Sequence, residues 1–138
     1  MDPETGVVDL VRYAAIEDVG TAINPLIVHG QTHGGIAQGV GQALMEHCTH
    51  DAAGQLIAGS LMDYQVPRAD DLPSFATGLN EVPCALNPLG VKAGGEGGTT
   101  PAPGVVINAI VHALRQYKVR DIKMPATPER VWRAMRAQ

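Results

Sequence analysis

Asn24-Pro25-Leu26-Ile27-Val28-His29-Gly30-Gln31-Thr32-His33-Gly34-Gly35-Ile36-Ala37-Gln38-Gly39-Val40-Gly41-Gln42-Ala43-Leu44 decides the architecture, because it reads as a helix although five of its residues are glycine. Asn24 can cap a helix, Pro25 suits the first helical position, and Ile27, Ala37, Val40 and Leu44 supply a broken apolar stripe. The helix is expected to run to about His47. Each glycine inside a helix costs about 1 kcal/mol relative to alanine, so five of them require close backbone packing or a ligand lying against the helix. Gln31, Gln38 and Gln42 share one face, where their amides can serve a polar heterocycle or be solvated.

A second glycine-rich stretch follows: Asn87-Pro88-Leu89-Gly90-Val91-Lys92-Ala93-Gly94-Gly95-Glu96-Gly97-Gly98. Residues without a Cβ let the backbone come close to a bulky guest, and Glu96 is the one acid within that run. Phosphate is a poor guest. A Walker-type loop places Lys and Ser/Thr after its last glycine, whereas here the lysine comes first and a carboxylate occupies the cradle. The local pattern leaves two readings open, a ligand loop and a tight turn with a solvated Glu.

The remaining elements predict an α+β fold: a mixed sheet with a hairpin, packed against the glycine-rich helix and a buried apolar helix, with a short C-terminal helix. Val7 to Val19 is rich in apolar and β-branched residues and predicts a strand. Cys48 to Tyr64 carries the turn signal Asp51-Ala52-Ala53-Gly54 between two extended stretches and predicts the hairpin. Pro67 to Pro73 is a polar loop, and Ser74 to Val82 a further strand that Gly78 weakens. Val105, Val106, Ile107, Ile110, Val111 and Leu114 follow Pro101 and Pro103 and predict a helix buried on most sides. Thr127 and Pro128 start a last helix whose Val131, Trp132 and Met135 are expected to pack on the body, Trp132 as core. The whole chain, 1–138, reads as one domain.

Composition narrows the function classes. Hydrophobic residues are 45%, no apolar run reaches the roughly 18 residues that span a membrane, and no basic-then-apolar leader opens the chain, so a cytoplasmic location is expected. The net charge of -4 comes from interspersed acids without a basic stripe, which argues against a nucleic-acid partner. Cys48 and Cys84 form no CxxC and read as free thiols. His29 and His33 have i, i+4 spacing, which can place two imidazoles on one metal, but no HExxH pattern or third ligand accompanies them. They read as hydrogen-bonded or solvated, with no metal held by protein ligands.

Taken together the motifs resemble the molybdenum-binding large subunits of the xanthine dehydrogenase, aldehyde oxidase and aerobic carbon monoxide dehydrogenase family. The residues that carry the resemblance are Asn24-Pro25, Gly30-Gln31, His33 to Gly39, Asp63-Tyr64, Pro67 to Pro73, Asn87 to Lys92, Gly95 to Gly98 and Pro125 to Trp132. They cover nearly the whole chain in family order, most like the bacterial carbon monoxide dehydrogenase branch. Such subunits are several times longer, so the chain is expected to be a C-terminal portion, as an isolated domain or a truncated product.

The resemblance implies a molybdenum–molybdopterin cofactor in the full assembly, absent from the isolated chain, and oxidation of a small-molecule substrate with water-derived oxygen. It makes Glu96 the general base and Gln31 a pterin contact, with Gln38, Lys92, Ala93, Gly94 and Gly95 as further cofactor-binding candidates. Lys92 is placed to stabilise the Glu96 carboxylate and so to oppose a raised pKa. Ala93 stands where many members have glycine, and Pro101 and Gly104 alter the small-residue run that follows. Implied partners are the upstream part of the large subunit and iron–sulfur and FAD subunits or domains. The isolated chain is expected to be inactive and to form homo-oligomers through a face around Gly34, Gly35, Gly94 and Gly95. Two further readings stay open: a non-catalytic remnant or assembly module of the same fold, and an unrelated small-ligand binding domain.

Overall fold

The computed structural model describes residues 1–137. Strand β1 is Tyr13–Glu17, helix α1 Pro25–Leu44, strand β2 Phe75–Leu79, helix α2 Ala102–Ala113 and helix α3 Pro128–Arg136, with single 3-10 turns at Ala69–Asp71 and Arg115–Tyr117. Local chemistry explains where the helices begin. The Asn24 side chain accepts from the Ile27 amide at the start of α1, and Thr127 accepts from the Arg130 amide at the start of α3, each with proline at the first helical position. The first helix stops at Leu44, earlier than the sequence suggests, where the Met45 and Glu46 amides both close on the Gly41 carbonyl.

The sheet corrects the expected one. β1 and β2 pair in parallel, Tyr13 opposite Phe75 through Glu17 opposite Leu79, and α1 lies in the connection that parallel strands require. Each strand is five residues, shorter than the predicted Val7 to Val19 and Ser74 to Val82. The hairpin over Cys48 to Tyr64 is not formed. Its turn exists, with the Asp51 carboxylate accepting from the Ala53 and Gln55 amides and Gly54 at φ +83°, but only one isolated bridge, His50 to Leu56, pairs the flanks. Leu61 and Met62 beyond it are exposed, so no buried face rewards a ladder there.

The core joins Ile36, Val40 and Ala43 of α1 to Ala102, Val106 and Ile110 of α2, with Tyr13, Leu114, Val131 and Met135 around them. Burying each of the large aliphatics contributes roughly 1.5–3 kcal/mol, so Ile36, Val40, Val106, Ile110, Leu114 and Val131 together exceed the roughly 5 kcal/mol that the five glycines of α1 lose in helix propensity. Only one stripe of α2 is buried; Val105 is half exposed, so the expectation of burial on most sides is wrong. The apolar run leaves the choice of face to the packing partner. Trp132 is also corrected: it is 37% exposed, with the Arg136 guanidinium 4.1 Å from its ring centre, while Val131 and Met135 point inward. No helix of the described residues is long and apolar enough to cross a membrane.

Candidate functional site

The Glu96 loop is held between the end of β1 and the outer side of α1. On the β1 side, Gly20 and Val91 form an antiparallel bridge in which the Lys92 amide donates to the Val19 carbonyl and the Thr21 amide to the Gly90 carbonyl. Gly20, at φ +65°, has no alternative residue here, since a Cβ would sit 2.1 Å from the Gly90 carbonyl oxygen. On the α1 side, Gln31 Nε2 donates to the Gly95 carbonyl at 2.7 Å. The Thr99 hydroxyl lies 3.1 Å from the Gly35 carbonyl oxygen and 3.3 Å from Gln38 Oε1, sharing its one proton between them.

The glycines of α1 fall into two groups. A Cβ at Gly35 would meet Thr99 within 3.0 Å, one at Gly39 would lie 2.6 Å from the Ala102 Cβ, and one at Gly41 would strike Glu46 and Pro67, so these three permit close packing. A Cβ added at Gly30 or Gly34, one turn apart, would meet no described atom within 4 Å beyond the local helix backbone, so the two form an open ridge. Of the four glycines expected on an exposed face, Gly34 and Gly95 are open, whereas Gly35 is buried and Gly94 abuts Val19.

Between the first half of α1 and the loop runs an open cleft of about 440 Å³, walled by Ile23, Ile27, Gln31, Lys92, Gly94 and Gly95 among others. Four of the sequence-predicted residues thus share one cleft. Gln38 lies two turns along α1, against Thr99, and Ala93 is exposed outside the cleft lining. Glu96 follows Gly95 at the cleft's end; it is exposed, and its carboxylate has no hydrogen bond or ion pair among the described residues.

Lys92 does not pair with Glu96. Its ammonium donates to Asp18 Oδ2, while Asp18 Oδ1 accepts from the Gly20 and Val82 amides. The Lys92 bond first, and the Gly20 amide next, hold the Asp18 carboxyl below the usual carboxylate range. Asp18 is a residue that sequence reading missed; an acid two residues before a strand-end glycine was the available signal. The two histidines meet on one hydroxyl, His29 Nδ1 at 2.8 Å and His33 Nε2 at 3.2 Å from Thr77 Oγ1, where the hydroxyl can donate to one ring and accept from the other. They pin α1 to β2. Among the described residues no group of three or more His, Cys, Asp or Glu is arranged around a metal position.

Comparison with known proteins gives this geometry a family. Residues 1–73 match the molybdopterin cofactor-binding domain model. The chain is 42% identical to the nicotine 6-hydroxylase large subunit of Paenarthrobacter nicotinovorans over 97% of its length, and 34% identical to the carbon monoxide dehydrogenase large chain of Hydrogenophaga pseudoflava over 99%. Among solved structures, quinoline 2-oxidoreductase from Pseudomonas putida 86 superposes with a TM-score of 0.94 at 40% identity, covering 97% of this chain and 17% of that one. The chain spans only 16% and 17% of the two curated relatives. It belongs to the molybdopterin cofactor-binding domain family, in the form found in the molybdenum-binding large subunits of carbon monoxide dehydrogenases, xanthine dehydrogenases and aldehyde oxidases.

Proposed function

We propose that this chain, as a single domain, forms one wall of the molybdopterin site in the large subunit of a molybdenum-dependent oxidoreductase, with Glu96 as its general base. The observation that carries the reading is the hydrogen bond from Gln31 to the Gly95 carbonyl, which ties the open ridge of α1 to the residue before an exposed, unpartnered carboxylate. The residues fit a flat polar group. Gly30 and Gly34 together forgo about 2 kcal/mol of helix propensity with no packing among the described residues that needs them, and a ligand lying on the ridge would use the missing Cβ atoms. Gln31, Gly94 and Gly95 would hold such a group's edge, with Lys92 and Ala93 beside the cleft and Gln38 farther along the same helix.

When bound, the cofactor supplies a molybdenum centre that accepts the substrate's electrons, and iron–sulfur and flavin partners in the cytoplasm would carry them onward. The task of Glu96 is to take a proton at its carboxylate from the attacking water. An ammonium bonded to that carboxylate would weaken it as a base, and the engagement of Lys92 with Asp18 directs that charge elsewhere. Exposed Ile23, Leu26 and Ile27 at the start of α1 supply a surface for the upstream part of the subunit. The relatives' names span nicotine, quinoline and carbon monoxide, so substrate choice belongs mainly to other parts of the subunit.

The test is Glu96→Gln in the assembled enzyme. Glutamine keeps the size but cannot take the proton, so turnover should fall on the order of a hundred- to ten-thousandfold with molybdenum content unchanged. Gln31→Ala should lose molybdenum first. A fully loaded Glu96→Gln enzyme that keeps more than about a tenth of wild-type turnover would refute the base assignment and leave a non-catalytic module.

A further inference from the structure

Beneath the Glu96 loop lies a second carboxylate that the proposed chemistry does not use. Glu17 ends β1, and both of its carboxylate oxygens are shut off from solvent with no hydrogen-bond partner among the described residues. The group lies flat against Gly97, where a Cβ would stand 2.7 Å from Oε2, 2.8 Å from Cδ and 2.9 Å from Oε1. Gly97 is itself exposed, so the carboxylate sits directly under the peptide that follows Glu96.

Gly94, Gly95, Gly97 and Gly98 give the loop almost no side chains with which to fix its own path, so its course depends on what supports it from below. Gln31 holds it at Gly95 from the α1 side, and Glu17 meets it at Gly97 from the β1 side, one contact on each flank of Glu96. A buried polar group without a partner is destabilising, more so when charged, and a methionine of similar length would occupy the same pocket without that penalty, though its thioether end does not reproduce the flat face that the carboxylate lays against Gly97.

We propose that Glu17 is a positioning residue for Glu96: seated on Gly97, its carboxylate sets the path of the loop through the base, at the expense of fold stability. This rests on the reading of Glu96 as the base. Residues held for function against stability have a recognisable signature, in which replacement stabilises the fold and impairs the activity.

The experiment compares Glu17→Met, Glu17→Gln and Gly97→Ala with Glu96→Gln. In the purified chain, Glu17→Met should melt several degrees higher and shift the amide NMR signals of residues 95–98. In the assembled enzyme it should lower kcat at least tenfold, with KM within twofold and molybdenum content unchanged. Glu17→Gln, which keeps the shape and one acceptor oxygen, should recover at least half of the turnover. Gly97→Ala, pressing on the contact from the other side, should lower kcat by a similar factor. A kcat loss that comes with a lower melting temperature and no recovery in Glu17→Gln means an ordinary structural residue and overturns the proposal. Wild-type turnover in both Glu17→Met and Gly97→Ala, with Glu96→Gln inactive, overturns this proposal alone. Wild-type turnover in Glu96→Gln removes the base assignment and this proposal together.

Discussion

Replacing Gly39 by alanine should destabilise the chain, whereas the same change at Gly34, five residues earlier in the same helix, should stabilise it. At Gly34 an added methyl meets nothing within 4 Å, so the variant gains the full helix-propensity difference of about 1 kcal/mol. At Gly39 the methyl would lie 2.6 Å from the Ala102 Cβ, 2.9 Å from the Thr99 carbonyl oxygen and 3.0 Å from Pro103 Cδ. None of these atoms ends a flexible side chain, and Ala102 is fully buried. Ordinary carbon contacts are about 3.5–4.0 Å, so α1 and α2 must part by roughly 1 Å across the interface that holds Ile36, Val40, Val106 and Ile110. Overpacking of this kind costs about 1–3 kcal/mol; its upper half, less the propensity gain, leaves a net loss of about 1–2 kcal/mol. The two variants should then differ by about 2–3 kcal/mol, or roughly 8–12 °C in Tm for a domain of this size. Calorimetry and urea unfolding of the purified chain give both numbers. Equal stability of the two variants would refute the assignment of Gly39 to helix packing and Gly34 to an open ridge. In the assembled enzyme the stabilised Gly34→Ala variant should carry less molybdenum, because the ridge is where the cofactor is proposed to lie.

Two titrations follow from the charged contacts. The Tyr64 hydroxyl donates to Glu46 Oε2, and this bond, ahead of desolvation, pushes the phenol up to about 12. Ultraviolet titration should therefore find Tyr64 ionising at about 12, beside Tyr13, whose phenol burial also raises, and Glu46→Gln should bring Tyr64 back toward 10. A raised pKa favours the protonated phenol in the fold, so the stability it contributes is complete below pH 10 and is lost as the pH rises toward 12. Asp18 has the opposite sign. Its carboxyl is held low by Lys92, so its contribution is present above the ordinary value of 3.8 and is lost as the pH falls through the lowered folded value. Lys92→Met should flatten the pH dependence of the urea midpoint below about pH 4, and an unchanged slope there would count against the ion pair.

What could be read in the sequence was local or ordered along the chain. Asn24 with Pro25, and Thr127 with Pro128, mark helix starts because a capping side chain and its amide lie three residues apart, within one turn. The Asp51 turn was legible for the same reason, but its hairpin was not, since a ladder needs a buried face and the flanking residues found none. The strand pairing that does form joins Tyr13 to Phe75 across the whole of α1, and periodicity carries no record of that partner.

The candidate site divides along the same line. The order of motifs from Asn24 to Trp132 carried the family, and the roles proposed for Gln31 and Glu96 rest on that order. Which glycines serve helix packing and which stay open was decided only when α2 and the Thr99 turn came to rest on one side of α1. The partner of Lys92 and the burial of Glu17 likewise depend on the bridge from Gly20 to Val91, which lays the loop across the end of β1. Charge, exposure and hydrogen-bond partners belong to neighbours in space, and for these residues the neighbours lie far away along the chain.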